Sequence, residues 1–362
     1  MKKILCAIMA LLMLLSYVSM FSCSSDEVVL SFEGYKVTED MYRYWMISWK
    51  EYYLNYYSDV EDTEEFWNAE NIQGGTNEEY LTEQTHQRIK YYLVGQALFE
   101  QHKLTLDSDE KDAIKSDIDK QIEYYGSRSA FNSYLDETYG IDVNLLKSIY
   151  TWEAKYNKVY TYLFDPENGI MTANDAEIDE YYNENYVRVK YVMFFKNVKY
   201  DYDEDGKKKT DSSGRYVFVD LTEQEKTAVV EKVNKVFDEV SGGTDIDEYV
   251  KTLMPEFGYD VTSYPNGFYI TADEYSLHTA TVTTAAFEMD VGEVRLAESE
   301  DTFFVIKKFD LPEKAYAGQD QAQFTYLVSY CNSYKFVKYF DSLGKDLVFD
   351  ESITEKYKLS QL

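Results

Sequence analysis

The residues able to do chemistry are few and widely spread. Histidine occurs three times, as His86, His102 and His278. The first two stand sixteen residues apart on or near one predicted helix. A helical metal pair needs ligands one turn apart, so this spacing reads as two helix-surface histidines. His278 falls in a turn-like stretch and has no visible partner. Asp201-Tyr202-Asp203-Glu204-Asp205-Gly206 opens like a calcium loop, with oxygens at alternate positions and glycine sixth. Lys207, Lys208 and Lys209 then bring cations, and Ser212 stands twelfth where a bidentate glutamate is needed. A solvated hairpin tip is the expectation. Gly74-Gly75 and Gly242-Gly243 lack the lysine and strand context of phosphate loops and read as breaks. No serine, cysteine or paired-carboxylate arrangement supports hydrolysis, and no metal or other cofactor is expected.

Cysteine carries a clearer signal. Met1-Lys2-Lys3 followed by the apolar run 4–15 has the layout of a secretory signal. Ser22-Cys23-Ser24-Ser25 then places a cysteine directly behind a small residue at the end of the apolar stretch. This resembles the lipobox of bacterial lipoproteins. The resemblance implies that the Cys23 thiol takes a diacylglycerol and that Cys23 becomes the new N-terminus. Met20 and Phe21 depart from the usual leucine and small residue of that pattern. The alternative is an uncleaved anchor helix, since the stretch up to Phe21 could almost cross a bilayer. Both readings place the rest of the chain on the extracytoplasmic face of the cell membrane. Cys6 leaves with the signal and only Cys331 remains, so no internal disulfide is expected and stability must come from a core.

Losing Lys2 and Lys3 takes the formal charge from −30 to −32. So acidic a chain is repelled by nucleic acid and by anionic headgroups, which sets aside DNA or RNA as partner. The 37 tyrosines are less usual and could form amphipathic surfaces that hold unfolded peptide.

The elements that position these residues follow from periodicity. Residues 28–32 alternate like a strand, Glu33-Gly34 turns, and Thr38 caps a helix with Glu39 and Asp40 in its first turn. The pattern stays helical to about Leu163, with breaks near Gly74-Gly75, Gly126 and Gly140. Its clearest stripe is Leu145, Ile149, Trp152, Tyr156, Val159 and Leu163. After the Pro166 turn comes a mixed region: a helix over 173–186, a strand over 187–195 and a charged insertion over 197–215. A helix boxed by Thr222 and Glu225 follows, then a short helix over 246–254 and strands at 267–270 and 302–308. A final helical stripe, Phe324, Leu327, Cys331, Tyr334 and Val337, makes Cys331 a buried core thiol.

Within the mixed region, Val187-Arg188-Val189-Lys190-Tyr191-Val192-Met193-Phe194 resembles the first strand of a parvulin-type peptidyl-prolyl isomerase. Pro265-Asn266-Gly267-Phe268 resembles the glycine turn of that family. Ala285-Ala286-Phe287-Glu288-Met289-Asp290-Val291-Gly292-Glu293-Val294 matches its Phe-containing helix end and Gly-Glu-Val turn, and Thr302-Phe303-Phe304-Val305-Ile306-Lys307 its last strand. With the flanking helices and the lipobox, the whole plan is similar to PrsA/SurA-type extracytoplasmic foldases. The resemblance implies an α+β chain in which a helical chaperone-like domain, completed by a C-terminal helix, carries an inserted parvulin-like domain. The corresponding segments are a signal at 1–22, a lipidated tether at 23–27, helices at 28–170, the parvulin-like domain at 171–312 and the returning helix at 313–362.

The family places one histidine in its first strand, one in its last, and a cysteine or aspartate between them. Here Tyr191 and Phe304 occupy the histidine positions, and Asp260 fits the acidic one. Two readings stay open. Tyr191 and Asp260 could act with an apolar floor of Met193, Phe268, Phe287 and Phe304, or Tyr191 and Phe304 are strand-core aromatics and Asp260 caps a turn. The implied function is a membrane-anchored foldase that binds unfolded exported polypeptides in a cradle lined by Trp and Tyr. An active prolyl isomerase and a surface lipoprotein binding a solute or polymer are the alternatives.

Overall fold

The structure, a computed structural model of the chain, describes residues 27–56, 60–71, 73–259, 262–272 and 279–362. Cys23, Asp260 and His278 lie outside the described residues. Among those described, no helix is long and apolar enough to cross a membrane. The chain forms two compact units, one from residues up to Thr172 together with Asn332–Leu362, the other from Ala173–Cys331. The mixture of helices and antiparallel sheet is α+β, as expected.

The first unit opens with the antiparallel hairpin β1 (Val28–Phe32) and β2 (Tyr35–Thr38). Six helices follow: α1 (Glu39–Tyr56), α2 (Glu64–Asn68), α3 (Asn77–Gln101), α4 (Ser108–Tyr124), α5 (Arg128–Tyr139) and α6 (Val143–Phe164). Reciprocal capping boxes, Thr76 with Glu79 and Asp107 with Glu110, start α3 and α4 by satisfying backbone N–H groups that have no helical partner. The expected breaks fall between helices. A further break at Lys103, where φ is 54°, carried no glycine signal. Gly95 lies where α3 meets α6: a Cβ there would stand 3.2 Å from Tyr156 Cα, so the missing side chain permits the close approach. Phe336 and Phe340, on the helix Leu327–Gly344, pack edge-on against Tyr91 and Tyr156.

The tryptophans correct one expectation. Trp45 and Trp67 are fully buried, and Trp49 and Trp152 are half-buried. Indole carries a large apolar area, and here most of it fills the core instead of lining an open cradle. The strongly exposed rings of this unit are tyrosines, among them Tyr52, Tyr56 and Tyr124.

The second unit begins with α7 (Asp175–Asn185) and β3 (Tyr186–Phe195). The charged insertion forms a small hairpin, β4 (Val198–Tyr200) with β5 (Phe218–Asp220). Its acidic tip is closed by Asp203 Oδ1 accepting from the backbone N–H groups of Asp205 and Lys207, which is turn chemistry. Then come α8 (Glu223–Ser241), α9 (Asp247–Leu253), β6 (Phe268–Thr271), α10 (Ala280–Glu288), β7 (Val294–Glu298) and β8 (Thr302–Phe309). The sheet is antiparallel in the order β6-β3-β8-β7. Val233, Val236 and Val240 of α8 join Val192, Val305 and Ile306 in its core. A separate small cluster gathers Tyr182, Tyr186, Tyr269, Phe324 and Cys331, and the thiol is buried as expected.

His86 departs from its expected surface position. Its Nε2 lies 2.8 Å from Tyr42 Oη, and its ring stacks on Phe349 at 4.1 Å. Burial, with Lys90 one turn away, pushes its pKa down to about 4. The folded chain therefore holds this histidine neutral where the unfolded chain, titrating near 6.5, takes up a proton. The stabilisation is complete above that value and is lost as pH falls toward 4, by up to about 3 kcal/mol. Denaturant midpoints of the wild type should fall steeply from pH 6.5 to 4, and His86→Gln should flatten that slope. Parallel slopes for the two proteins would remove His86 as the cause.

Candidate functional site

The candidate site lies where β6, β3 and β8 run side by side. Antiparallel pairing sets Tyr191 opposite Ile306 and Met193 opposite Phe304, so these four side chains share one face of the sheet. Phe268 of β6 pairs with Val189 and joins the same face. The rings meet directly. Tyr191 lies 5.3 Å from Phe268 and 6.1 Å from Phe304, the latter edge to face. Tyr191 and Phe304 are each 2% exposed.

A residue absent from the sequence reading completes the cluster. Tyr259 follows the short 3-10 turn Met254–Phe257, and its hydroxyl lies 3.0 Å from that of Tyr191. Burial, with Tyr259 beside it, pushes the Tyr191 hydroxyl far above the ordinary tyrosine range, so it stays neutral. Tyr264 lies tilted against Phe268, with ring centroids 4.9 Å apart. The available signal was the aromatic spacing of Tyr259, Tyr264 and Phe268 around the acidic position. Phe287 is half-buried on α10 and makes no ring contact among the described residues. Tyr191, Met193, Phe268 and Phe304 are thus brought together, while Phe287 is not placed in their ring cluster. The described residues do not reach Asp260.

Two polar clamps hold the turn before β6. Lys190 Nζ donates to both Asp247 oxygens, at 2.6 and 2.8 Å, and to Pro265 O at 2.8 Å. Asp320 accepts from Asn266 Nδ2 and from the Tyr269 hydroxyl, while Gln323 Nε2 donates to Gly267 O. What remains between Lys190, Tyr191, Val250, Met254, Tyr259, Tyr264 and Phe268 is a shallow hollow of about 320 Å³, counting the open solvent at its mouth. It offers rings, the paired hydroxyls of Tyr191 and Tyr259, and the Lys190 ammonium already held by Asp247. Prolyl isomerisation makes and breaks no covalent bond, but a catalyst must stabilise a twisted amide against a barrier of about 18–20 kcal/mol. At Tyr191 and Phe304 the two strands present buried rings that contact each other.

No family model and no curated relative matches the chain. Among solved structures it is similar to the foldase PrsA of Streptococcus pneumoniae, at 14% identity over 92% of this chain and all of that one, with a TM-score of 0.26. PrsA of Bacillus subtilis matches at 14% identity over 79% of this chain and 93% of that one, with a TM-score of 0.23. PrsA of Lactococcus lactis matches at 13% over 92% and 100%, with a TM-score of 0.24.

Gly267 tests the site's scaffold. Its φ is +96°, and a Cβ would fall 2.5 Å from Val189 O. Gly267→Ala should destabilise the second unit by about 2 kcal/mol or more, through left-handed strain and a backbone clash. Tyr191→Phe, which loses one hydroxyl pair, should cost about 1 kcal/mol. Equal midpoints for the wild type and Gly267→Ala in denaturant melts would contradict the geometry.

Proposed function

We propose that this chain is a foldase tethered to the outer face of the membrane through a lipid on Cys23, which binds unfolded exported polypeptides with little or no prolyl isomerase activity. The parvulin-like order of strand, capped helix, glycine turn and last strand supports a peptide-binding second unit. The observation that carries the non-catalytic part is the ring contact of Tyr191 with Phe304, both buried, at the two histidine positions. Rings that fill these positions leave little room between them for a prolyl ring, and the nearby Lys190 ammonium is already held by Asp247. The half-buried Tyr259 and Phe268, with the more exposed Tyr264, leave an amphipathic surface that tolerates many sequences. The anchor would raise the effective concentration of this surface where chains emerge.

Two assays on the same purified protein test this reading. Aggregation of an unfolded model substrate should be suppressed at near-stoichiometric protein, while cis-to-trans conversion of a prolyl peptide should proceed at the uncatalysed rate. Clear rate acceleration would make it an active isomerase, and failure to suppress aggregation would sink the foldase reading. Independently, Cys23→Ser should abolish incorporation of labelled fatty acid and move the protein out of the membrane fraction if the lipid is the anchor. Retention in that fraction would favour the uncleaved helix.

A further inference from the structure

The first unit contains a carboxylate set among aromatic rings that its own packing does not require. Glu153, on α6, accepts from the Trp45 indole N–H at 3.0 Å through Oε1. Its other oxygen has no hydrogen-bond partner, and Glu153 forms no ion pair, among the described residues. Trp45 lies 5.3 Å from Tyr92 and 6.4 Å from Trp152, and Tyr92 lies 5.2 Å from Tyr156. Satisfying an indole N–H takes only a neutral acceptor, and a glutamine would serve. A carboxylate with a spare oxygen can in addition take a cation through a charge-assisted hydrogen bond.

A cation is already close by. The exposed Arg88, on α3, lays its guanidinium over the Trp49 ring at 4.2 Å. It forms no salt bridge within 4 Å among the described residues, yet its charge reaches Glu153, Tyr92 and Tyr156. Burial raises the Glu153 pKa, with Arg88 and the Trp45 indole opposing the rise. From Trp49 the rings continue outward along α1 through Tyr52, 53% exposed, to Tyr56, 70% exposed. A carboxylate held by one indole, with half-buried and exposed rings following along α1, offers a guanidinium both an anionic partner and aromatic faces.

We infer that Glu153, held in place by the indole N–H of the buried Trp45, forms with the half-buried Trp49 and Trp152 a docking site for arginine side chains of unfolded polypeptide, and that Arg88 occupies part of it when no client is bound. This names a substrate preference and rests on the foldase reading. Arginine in the client, not only apolar surface, then contributes to holding. The strongly negative net charge favours the same class of segment at longer range.

The full-length protein in detergent is titrated with two unfolded peptides, identical except that arginine is replaced by neutral, near-isosteric citrulline. Three of the four tryptophans belong to the cluster, so indole fluorescence reports binding. The arginine peptide should bind about tenfold more tightly. Glu153→Gln, which keeps an acceptor for Trp45, should erase that preference. Arg88→Ala should strengthen arginine-peptide binding several-fold by vacating the Trp49 face. Circular dichroism melts establish that both variants fold. Equal binding of the two peptides by the wild type would overturn the inference and leave the foldase reading intact. If neither peptide binds, N-acetyl-arginine methylamide decides: quenching in the wild type but not in Glu153→Gln keeps the cation site without the foldase function, and no quenching removes it.

Discussion

The pairing of β3 with β8 is the constraint on which the second unit depends. It joins segments more than a hundred residues apart in an uninterrupted register from Arg188↔Phe309 to Phe195↔Thr302. Because side chains alternate across a strand, a slip of one residue would turn Tyr191 and Met193 to the opposite face and bring Val192 in their place. The observed register instead seats Tyr191 beside Phe304, with β6 and β7 added at the two sides. Gly267 then enters β6 so close to Val189 O that no side chain fits.

That register decides what this face of the sheet presents. A phenol and a phenyl ring meeting edge to face bury area and exclude water. The Tyr191 hydroxyl is engaged with Tyr259, and burial keeps it protonated. Polar chemistry in this region has moved to the support: Lys190 with Asp247, and Asp320 with Asn266 and Tyr269, fix the turn while the rings fill the floor.

The first unit uses its aromatic wealth differently. Trp45, Trp67, Phe131, Phe164 and Phe340 form the interior, and most polar tips find partners, such as Tyr139 with Glu51 and Tyr91 with Asp341. Against that background Glu153 stands out, since it is half-buried and only one of its oxygens has a hydrogen-bond partner among the described residues. His86 shows the other use of a titratable group in this core, held neutral between Tyr42 and Phe349.

The sequence by itself determined most of the local structure. Capping boxes at Thr222 and the helical stripe of α6 are short-range signals, and alternation in 187–195 and 302–308 marked the strands that became β3 and β8. It also determined that Cys331 would be buried, because an apolar stripe surrounds it. It did not show β7, whose half-exposed Val294–Glu298 lacks a strong alternating pattern, or the helix break at Lys103. Tertiary structure alone decided which rings meet. Tyr259 reaches Tyr191 across 68 residues, and His86 meets Phe349 far along the chain, so neither contact leaves a periodic trace in the sequence. The same holds for Glu153: a glutamate on a helix reads as solvated until packing brings the Trp45 indole N–H to it. Periodicity reports which face of an element is buried, and only the packed chain determines what lies against it.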